Sequence, residues 1–473
     1  MEKKTIEAML RSSSAKFGNT PAMVCGDKHR DYKELCSEIM RLASAFQKQG
    51  LKGRKIDLKA ELSAEWIIVF LALNVAGAVV ILHEPMLDAT EYINDIFMKT
   101  DAATLYAYER SSELTEEAEE DDTAVIIFTS GTSGRHKGCM LSQKNIISDA
   151  LLGARMIGEG ALKEGDRTIP VLPVFHMFGI TASFIAPFSI GMTVYIINDI
   201  KYVIKSLPEI RPRVLFLVPM IVKTVLSRAK MMLKAGMTHE EIREKAFGGL
   251  PLIVSGGAAL QPDLIDEYDK FGIELLNGYG ITECSPIVTT SSYKNNVRGA
   301  VGRVNDLKYA EVRIIDGTIH VSGDIVMKGY CGNETSPFKT IDGQKWFDTL
   351  DTGNIAEDGS LFVTGRCSNL IILDDGNNIS PEEIELYFEK YDLIESVMVY
   401  AKDSTICASV YPCQELIKDK SETELYDAVA MIIDEINQSL PTYKRVRLWK
   451  IRKEDFQRTS LRKIIRSGVN CDE

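Results

Sequence analysis

Hydrophobic residues in the first half of the chain follow two alternating spacings. After Asp31, which can cap a helix, apolar residues recur every three or four positions, at Leu35, Ile39, Leu42 and Phe46. Gly50 predicts the end of this helix. Short apolar runs at residues 77–82 and 124–128 instead predict buried strands. Strands separated by helices indicate parallel sheets with helices on their faces.

The pattern changes from about residue 300. Residues 312–315 and 318–321 are short alternating runs set between glycines, which predicts an antiparallel sheet or a small barrel. Beyond Arg366 the chain restarts with strand, turn and helix, and residues 380–383 resemble a capping box with Pro381 at the first helical position. The predicted fold class is α/β. A large N-terminal domain (1–366) has mixed and parallel sheets flanked by helices and a small β-barrel-like subdomain, and a small α+β C-terminal domain (367–473) follows it.

Two long apolar stretches, 66–82 and 180–197, raise the question of a membrane span. Neither is flanked by a cluster of basic residues, and glycine or proline interrupts both. Each is therefore predicted to be a buried helix followed by a buried strand, and no membrane span is expected.

Composition narrows the class of protein. The chain has 473 residues, which predicts two or three domains, with 45% hydrophobic and 26% charged residues. A net charge of −12 argues against nucleic-acid binding. Nine cysteines without a C-x-x-C pair, and a start lacking the apolar core of a signal peptide, predict a cytoplasmic location.

The first chemical motif is the Gly/Ser/Thr-rich stretch 129–138, directly after the buried run 124–128. Glycines let backbone N–H groups converge on an anion, hydroxyls add donors, and Lys137 adds a positive charge. The spacing is not that of a Walker A loop. A flexible surface turn has the same composition, but the position between a buried strand and a helix capped by Ser142 favours a phosphate-binding loop.

The second motif is Asn-Gly-Tyr-Gly-Ile-Thr-Glu-Cys-Ser-Pro at 277–286. Tyr279, between two glycines, is suited to lie against a base. Thr282 offers a hydroxyl to a phosphate. Glu283 offers a carboxylate to Mg²⁺, which commonly binds one carboxylate together with substrate phosphates.

Further motifs follow at 351–354, 364–366, 376–385 and 459–466, and two more lie at 172–179 and 255–259. In this order and at these separations, the motifs resemble the adenylate-forming superfamily of acyl-CoA synthetases, luciferases and nonribosomal adenylation domains. The resemblance covers nearly the whole chain. It implies ATP with Mg²⁺, and CoA as co-substrate.

The resemblance also implies roles for individual residues. The β- and γ-phosphate contacts correspond to Thr129, Ser130, Gly131, Thr132, Ser133, Gly134 and Lys137. The adenine site corresponds to Gly257, Ala258, Asn277, Gly278, Tyr279 and Gly280. Thr282 matches the α-phosphate contact, Glu283 the Mg²⁺ ligand, and Asn354 and Arg366 the ribose contacts. Lys463 matches the catalytic lysine that bridges carboxylate and nucleotide. The acyl pocket is assigned to His176, Gly256 and Ile281, the thiol tunnel to Gly376, and the interdomain hinge to Ser368.

Several positions depart from the family pattern. Asn354 replaces an aspartate, so a charge-assisted bond to the ribose is lost. His136 replaces a common proline, Arg462 a common glycine, and Ser368 with Asn369 a charged pair. These departures motivate one alternative, a catalytically silent nucleotide binder.

The acid and the thiol are less well defined by the sequence. Residues 175–176 are Phe-His, where amino-acid-activating members have Phe-Asp, so an acid without an α-amino group is favoured. Residues 326–330 look most like fatty acyl members, and aryl acids remain an alternative. The stretch 444–466 carries ten Lys and Arg residues. It suits either the phosphates of CoA or an acidic acyl carrier protein, and also an ordinary solvated face.

Overall fold

Helices and strands alternate in the first third of the chain, as the apolar spacing predicts. The computed structural model describes residues 3–110, 114–130, 136–158, 160–197, 199–293, 296–332, 336–373, 378–402, 405–458 and 464–466. The elements up to residue 156 are α1 (Ile6–Phe17), β1 (Pro21–Cys25), β2 (Lys28–Asp31), α2 (Tyr32–Lys48), β3 (Lys55–Leu58), α3 (Ala64–Val75), β4 (Val79–Leu82), β5 (Ile96–Thr100), α4 (Ala102–Tyr106), β6 (Thr123–Ser130), β7 (His136–Ser142) and α5 (Gln143–Met156).

The middle of the chain continues this alternation. Its elements are β8 (Arg167–Thr168), α6 (Met177–Ile180), α7 (Ala186–Ser189), β9 (Thr193–Tyr195), α8 (Ile200–Ile210), β10 (Val214–Leu217), α9 (Pro219–Lys234), α10 (His239–Lys245), β11 (Leu252–Ser255), α11 (Pro262–Asp269), β12 (Glu274–Gly280) and β13 (Ile287–Thr290). A π-helical turn, Thr181–Ile185, joins α6 to α7.

Strands predominate from residue 310 onward. The remaining elements are β14 (Ala310–Ile315), β15 (Thr318–Gly323), β16 (Gly329–Tyr330), β17 (Phe338–Ile341), β18 (Gln344–Ile355), β19 (Leu361–Arg366), β20 (Ile371–Ile372), β21 (Asn378–Ile379), α12 (Pro381–Phe388), β22 (Ile394–Lys402), β23 (Thr405–Pro412), α13 (Gln414–Ile417), α14 (Glu422–Ser439) and β24 (Leu448–Ile451).

Two large sheets organise the first part of the protein. One has the order β13-β12-β11-β10-β8-β9-β1-β2, and β8, β9, β10, β11 and β12 run parallel in it. The other has the order β16-β7-β6-β4-β3-β5. A further sheet has the order β14-β15-β18-β17, with β19 beside β18. The predicted α/β class, with mixed and parallel sheets, is confirmed.

Two compact units divide the chain. The first comprises Met1–Arg313, His320–Asp348 and Ile355–Leu361, and the second comprises Ile314–Ile319, Thr349–Asn354 and Phe362–Glu473. In the second unit, β22 and β23 are antiparallel and β24 runs parallel to β23. Their buried side chains share an apolar core with α12 and α14, which makes this part α+β. The domain boundary placed between residues 366 and 367 stays a prediction.

Local signals in the sequence identify several helix ends. Asp31 and Glu34 form a reciprocal capping box at the start of α2, and Ser142 and Asn145 form another at the start of α5. Both apolar stretches are buried elements, as predicted: α3 with β4, and α6 to α7 with β9. No helix in the described part of the chain is long and apolar enough to cross a membrane.

The capping box predicted at 380–383 is wrong. Pro381 does occupy the first turn of α12, but the Ser380 hydroxyl donates to Glu382 Oε2 at 2.9 Å instead of capping the helix. Glu383, the residue that would complete the box, accepts from Lys444 Nζ at 2.6 and 2.8 Å. A long-range ion pair has therefore taken the carboxylate that the local motif requires.

Candidate active site

The predicted phosphate-binding stretch is the tip of a β-hairpin. Strand β6 extends to Ser130 and pairs antiparallel with β7, so that Thr129 lies opposite Lys137. The structure thus has strand at 129–130 and at 136–138, where the sequence suggested loop. Residues 131–135, including the predicted contacts Gly131, Thr132, Ser133 and Gly134, lie outside the described residues, and for Ser130 only the backbone is described.

A tyrosine links the hairpin to the predicted metal ligand. Tyr330 on β16 pairs with Cys139 of β7, and the Lys137 ammonium lies 4.8 Å from the centroid of the Tyr330 ring. The Tyr330 hydroxyl donates to Glu283 Oε1 at 2.8 Å. Lys137 and Glu283, which are 146 positions apart in the sequence, are therefore brought to one aromatic ring. The sequence drew attention to residues 326–330 but assigned no role to Tyr330.

The backbone around Glu283 is held from two sides. Thr282–Cys284 is a short 3₁₀ turn, and Glu283 O accepts from Met327 N at 2.9 Å. Ser285, two positions after Glu283, has a left-handed φ of 75°, and its hydroxyl donates to Ile325 O at 2.8 Å. Its carbonyl accepts from the Thr181 hydroxyl at 3.1 Å. These contacts fix the backbone from which the Glu283 carboxylate projects, and a fixed ligand position suits metal coordination.

The predicted adenine residues lie at the carboxyl ends of two parallel strands. Ser255 of β11 pairs with Asn277 of β12, so that Gly256 and Gly257 lie beside Gly278 and Tyr279. Asn277 is buried and donates through Nδ2 to Ala300 O at 3.3 Å. At Gly280 a Cβ would lie 1.9 Å from Pro286 O, so only glycine fits there. Ala258 is exposed just beyond this edge. Ligands bind at this edge of open α/β sheets.

A largely apolar cavity opens beside these glycines. Its space is about 710 Å³, including the part that is open to solvent. Gly256, Gly257, Gly278, Tyr279 and Gly280 form one part of the lining. The rest comes from α5, α6, α7 and neighbouring strands: Gly153, Ala154, Ile157, Leu162, Phe178, Ala182, Ala186, Pro187, Ile190, Met192, Phe216, Val254, Ser255, Pro286, Ile287, Thr289 and Thr290. Among these described residues, only Tyr279 has an ionisable side chain.

Two of the three predicted acyl-pocket residues are not part of that lining. Gly256 lines the cavity, whereas His176 and Ile281 are not among the described lining residues. His176 immediately precedes α6, and its ring lies 4.7 Å from that of Phe175. The role of these residues stays a prediction. The sequence missed Phe178, Ala182 and Ala186, whose spacing of roughly four along one helical segment was the available signal.

A buried acid supports the cavity wall from behind. Asp149 on α5 is fully buried, and its Oδ1 accepts from the backbone N–H of Ile287 at 2.8 Å. Burial raises the pKa of Asp149 well above its ordinary value, because the charged form is poorly solvated there. Burial therefore favours the neutral form of this side chain.

The second unit contains the predicted ribose residues. Arg366 donates through Nε to Asp351 Oδ1 at 2.9 Å, and the Thr364 hydroxyl lies 3.0 Å from that of Thr352. Asn354 is exposed on the same strand, β18. No role was predicted for Asp351, which orients Arg366. Asp351 lies three positions before Asn354, where the family pattern has an aspartate. Exposed Ser368 lies in a 3₁₀ turn, Cys367–Asn369, after β19.

Two further predictions cannot be placed. Gly376, assigned to the thiol tunnel, and Lys463, assigned to catalysis, lie outside the described residues. The described part of the chain contains no cluster of three or more His, Cys, Asp or Glu suited to a metal ion. A single carboxylate, Glu283, fits a Mg²⁺ ion that takes its other ligands from nucleotide phosphates and water.

Sequence comparison identifies the class of protein. The profile of the AMP-binding enzyme family matches residues 10–116 and 93–331, and that of the AMP-binding enzyme C-terminal domain matches residues 368–471. The chain belongs to the AMP-binding enzyme family, and the resemblance to the adenylate-forming superfamily is confirmed.

Individual relatives refine this picture. The chain is 30% identical over 320 residues to a long-chain-fatty-acid–CoA ligase of Mycobacterium bovis, a match covering 59% of this chain and 52% of the relative. It thus spans about half the length of that ligase. It is 24% identical to a chloroplastic long-chain-fatty-acid–acyl-carrier-protein ligase of Arabidopsis thaliana, over 95% of this chain and 80% of the relative.

A solved structure has the same fold. The o-succinylbenzoate CoA synthetase of Bacillus subtilis, in complex with its acyl-adenylate intermediate, superposes with a TM-score of 0.78 at 22% identity, covering 97% of both chains. At this identity the match supports the fold and not the substrate.

Proposed function

We propose that the protein activates a carboxylic acid with ATP and Mg²⁺ and transfers the acyl group to the thiol of CoA. The observation that carries the proposal is the shared lining of one cavity, where the predicted adenine residues Gly257 and Gly278–Gly280 and the predicted acyl-pocket residue Gly256 border an apolar space. An acid in that space would present its carboxylate to the nucleotide. The Thr282–Glu283 turn directly follows Gly280 and Ile281 in the chain.

The proposed reaction has two steps. A carboxylate oxygen attacks the α-phosphorus of ATP, the bond to the β-phosphate bridging oxygen breaks, and pyrophosphate leaves. The CoA sulfur then attacks the acyl carbon, the bond to AMP breaks, and the thiol proton is released to solvent. In the first step two anions must meet, so positive charge from Lys463, Lys137 and Mg²⁺ is expected to dominate catalysis. Thr282 would contact the α-phosphate.

We infer that the acid is a fatty acid. The described lining of the cavity contains no cationic side chain, so a second carboxylate, as in succinylbenzoate, would be buried without a partner at considerable cost. An alkyl chain gains about 0.8 kcal/mol for each methylene group buried. The fatty acyl ligases among the relatives point to the same class of acid. Free thiols at all eight described cysteines are consistent with a reducing, cytosolic location.

An acyl carrier protein is the second candidate acceptor. The Arabidopsis relative uses such a carrier, and residues 444–466 are rich in Lys and Arg. Three of these cations are already engaged within the second unit: Lys444 with Glu383, Arg458 with Asp455, and Arg466 with Glu385. This engagement lowers the charge available to an acidic carrier and to the phosphates of CoA alike. CoA is favoured as the acceptor by the higher identity of the CoA ligase among the relatives.

A pyrophosphate-release screen tests the proposed function. We expect release that requires both ATP and a fatty acid, little release with succinylbenzoate, and consumption of CoA thiol equal to the pyrophosphate formed. Thioester formation on a carrier protein but never on CoA would favour the second candidate. Binding of ATP without turnover across the panel would identify a catalytically silent homologue and contradict the proposal.

Filling the cavity should shift the preference for chain length. Ala182 lines the cavity and is buried, so the substitution Ala182→Phe places a ring where the acyl chain is expected. We expect kcat/KM for a long-chain acid to fall at least about tenfold, which corresponds to losing the burial of about two methylene groups. The same variant assayed with a short acid is the matched control. An equal loss with both acids would indicate misfolding and contradict the assignment of the cavity.

Removing the Tyr330 hydroxyl tests the assignment of Glu283. The Tyr330→Phe variant loses a hydrogen bond to a carboxylate, a contact worth about 1.5–3 kcal/mol. We expect the Mg²⁺ concentration for half-maximal adenylation to rise about tenfold. Tyr202→Phe, at an exposed tyrosine, is the control and should change nothing. An unchanged Mg²⁺ requirement in Tyr330→Phe would argue that Glu283 does not bind the metal.

A further inference from the structure

Three arginine residues line a second pocket, at the opposite ends of the parallel strands of the eight-stranded sheet. Arg167 begins β8, and Arg213 immediately precedes β10. Arg211 and the pair Gly248–Gly249 complete the part of the pocket that matters here. We call it the arginine pocket, and its space is about 570 Å³, including the part that is open to solvent.

The arginine pocket is separate from the proposed active site. It lies at the amino ends of parallel strands, whereas Gly256 and Gly257 follow the carboxyl end of β11. The four residues of β11 span roughly 13 Å at about 3.3 Å per residue. A ligand in the arginine pocket would therefore not occupy the predicted adenine site at the carboxyl ends of β11 and β12.

Hydrogen bonds to backbone carbonyls fix two of the three guanidinium groups. Arg167 Nη1 donates to Ile210 O at 2.9 Å, and Arg213 Nε donates to Ala161 O at 2.9 Å. The backbone N–H of Arg213 donates to Arg167 O at 2.8 Å, which ties the two strands together. A guanidinium carries five N–H donors, so each of these contacts uses a minority of them. The side chains are thus positioned in advance for an anion.

The backbone is strained where it presents Arg211. Arg211 has a left-handed φ of 51°, which costs a residue with a side chain about 1 kcal/mol or more. Gly249 has a φ of 71°, and a Cβ there would lie 2.7 Å from Arg211 Nη2. The bare turn at Gly249 therefore leaves room for the Arg211 guanidinium. Arg211 is also the C-cap of α8, so its left-handed conformation ends that helix.

The local charge opposes that of the whole protein. The chain carries a net charge of −12, yet Asp166 is the only acid among the residues described as lining the pocket. Asp166 Oδ2 accepts from the backbone N–H of Lys163 at 2.9 Å, so one carboxylate oxygen of Asp166 is already hydrogen-bonded within its own loop. Glu244, outside the lining, pairs with Arg211 at 2.9 Å. The pocket keeps a positive excess, which attracts anions.

We propose that the arginine pocket binds a small phosphorylated anion, either inorganic phosphate or the phosphate group of a nucleotide. Planar guanidinium groups bind phosphoryl oxygens in pairs of hydrogen bonds, which a lysine pocket does not provide. This site is independent of the proposed function.

Calorimetric titration of the full chain tests this site. The probes are inorganic phosphate and, separately, AMP, in phosphate-free buffer with chloride controls of equal ionic strength. The titrations use Lys137→Gln as background, which weakens binding of inorganic phosphate at the proposed active site. AMP lacks the β- and γ-phosphates and can still bind at the predicted adenine site, so only the part of its binding that the arginine variants reduce is assigned to the arginine pocket. Binding of inorganic phosphate would show that the anion alone suffices, and binding of AMP alone would show that a nucleotide is required.

The variants Arg211→Gly and Arg213→Gln identify the pocket. We expect either variant to weaken binding about tenfold, the loss of one charge-assisted contact. Glycine adopts the φ of residue 211 without strain, so Arg211→Gly should retain the thermal midpoint and a normal adenylation rate. Binding unchanged in both variants, or no binding of either probe in the Lys137→Gln background, would overturn the proposal.

Discussion

Replacing Lys463 by alanine is expected to slow formation of the acyl-adenylate by about 10²–10³, the loss associated with one preorganised charge in a transition state. The carboxylate and the α-phosphate are both anionic, and this lysine is the proposed cation between them. The second step requires no such bridge, so thioester formation from a chemically synthesised acyl-adenylate should proceed at close to the normal rate. Single-turnover assays of the two half-reactions measure the difference.

Lys453→Ala is the matched control for this experiment. Lys453 is an exposed lysine in the same basic stretch, and its loss should affect neither half-reaction. Equal slowing of both half-reactions by Lys463→Ala would indicate a folding defect, and normal adenylation would remove Lys463 from the mechanism.

Removing Arg466 should destabilise the second unit by up to about 3–5 kcal/mol at alkaline pH, where Glu385 is ionised and would be buried without its partner. Glu385 is only 14% exposed and Arg466 24%, and Arg466 Nη2 pairs with Glu385 Oε2. Both side chains also contact Val399: Glu385 Oε1 accepts from its N–H at 2.6 Å, and Arg466 Nη1 donates to its carbonyl at 3.1 Å. Hydrogen exchange of amides in α12 and β22 would measure the loss in Arg466→Met.

Two controls separate charge from packing in this experiment. The double variant Glu385→Gln with Arg466→Met should recover much of the stability, because no buried charge remains. Arg447→Met, at an exposed arginine, should stay within about 0.5 kcal/mol of the unchanged protein. Equal exchange in Arg466→Met and Arg447→Met would show that the ion pair contributes nothing.

The same pair predicts a dependence of stability on pH. Burial raises the pKa of Glu385 to about 7, although Arg466 opposes the shift. A carboxyl whose pKa is raised in the folded state binds its proton more tightly there than in the unfolded chain. Its contribution to stability is therefore complete below about pH 4.5 and is lost as the pH rises through about 7. In the Glu385→Gln variant this loss should be absent.

Local sequence signals predicted much of the fold. The caps at Asp31 and Ser142 work through contacts three residues away, so the sequence contains everything needed to recognise them. The signal at 380–383 is equally local, yet Lys444 captures Glu383 from 61 positions away. A motif is reliable only when no distant partner competes for its side chains.

The candidate site was predictable in its residue types and less so in its contacts. Glycines and a tyrosine before Thr282–Glu283 indicated a nucleotide edge. The bond from Tyr330 to Glu283 depends on the pairing of β16 with β7, and the cavity depends on how α5 packs beside β13. Such arrangements arise from tertiary packing, which no single window of sequence contains.

One continuous piece of chain joins the two ends of the proposed site. Strand β7 forms one side of the β6–β7 hairpin and ends at Ser142, and α5 begins at the next residue and reaches Gly153 and Ala154, which line the cavity. Because no loop separates this strand from the helix, a displacement at one end of the segment would be transmitted to the other end. The phosphates of ATP and the acyl chain of the proposed substrate would therefore contact opposite ends of the same continuous segment.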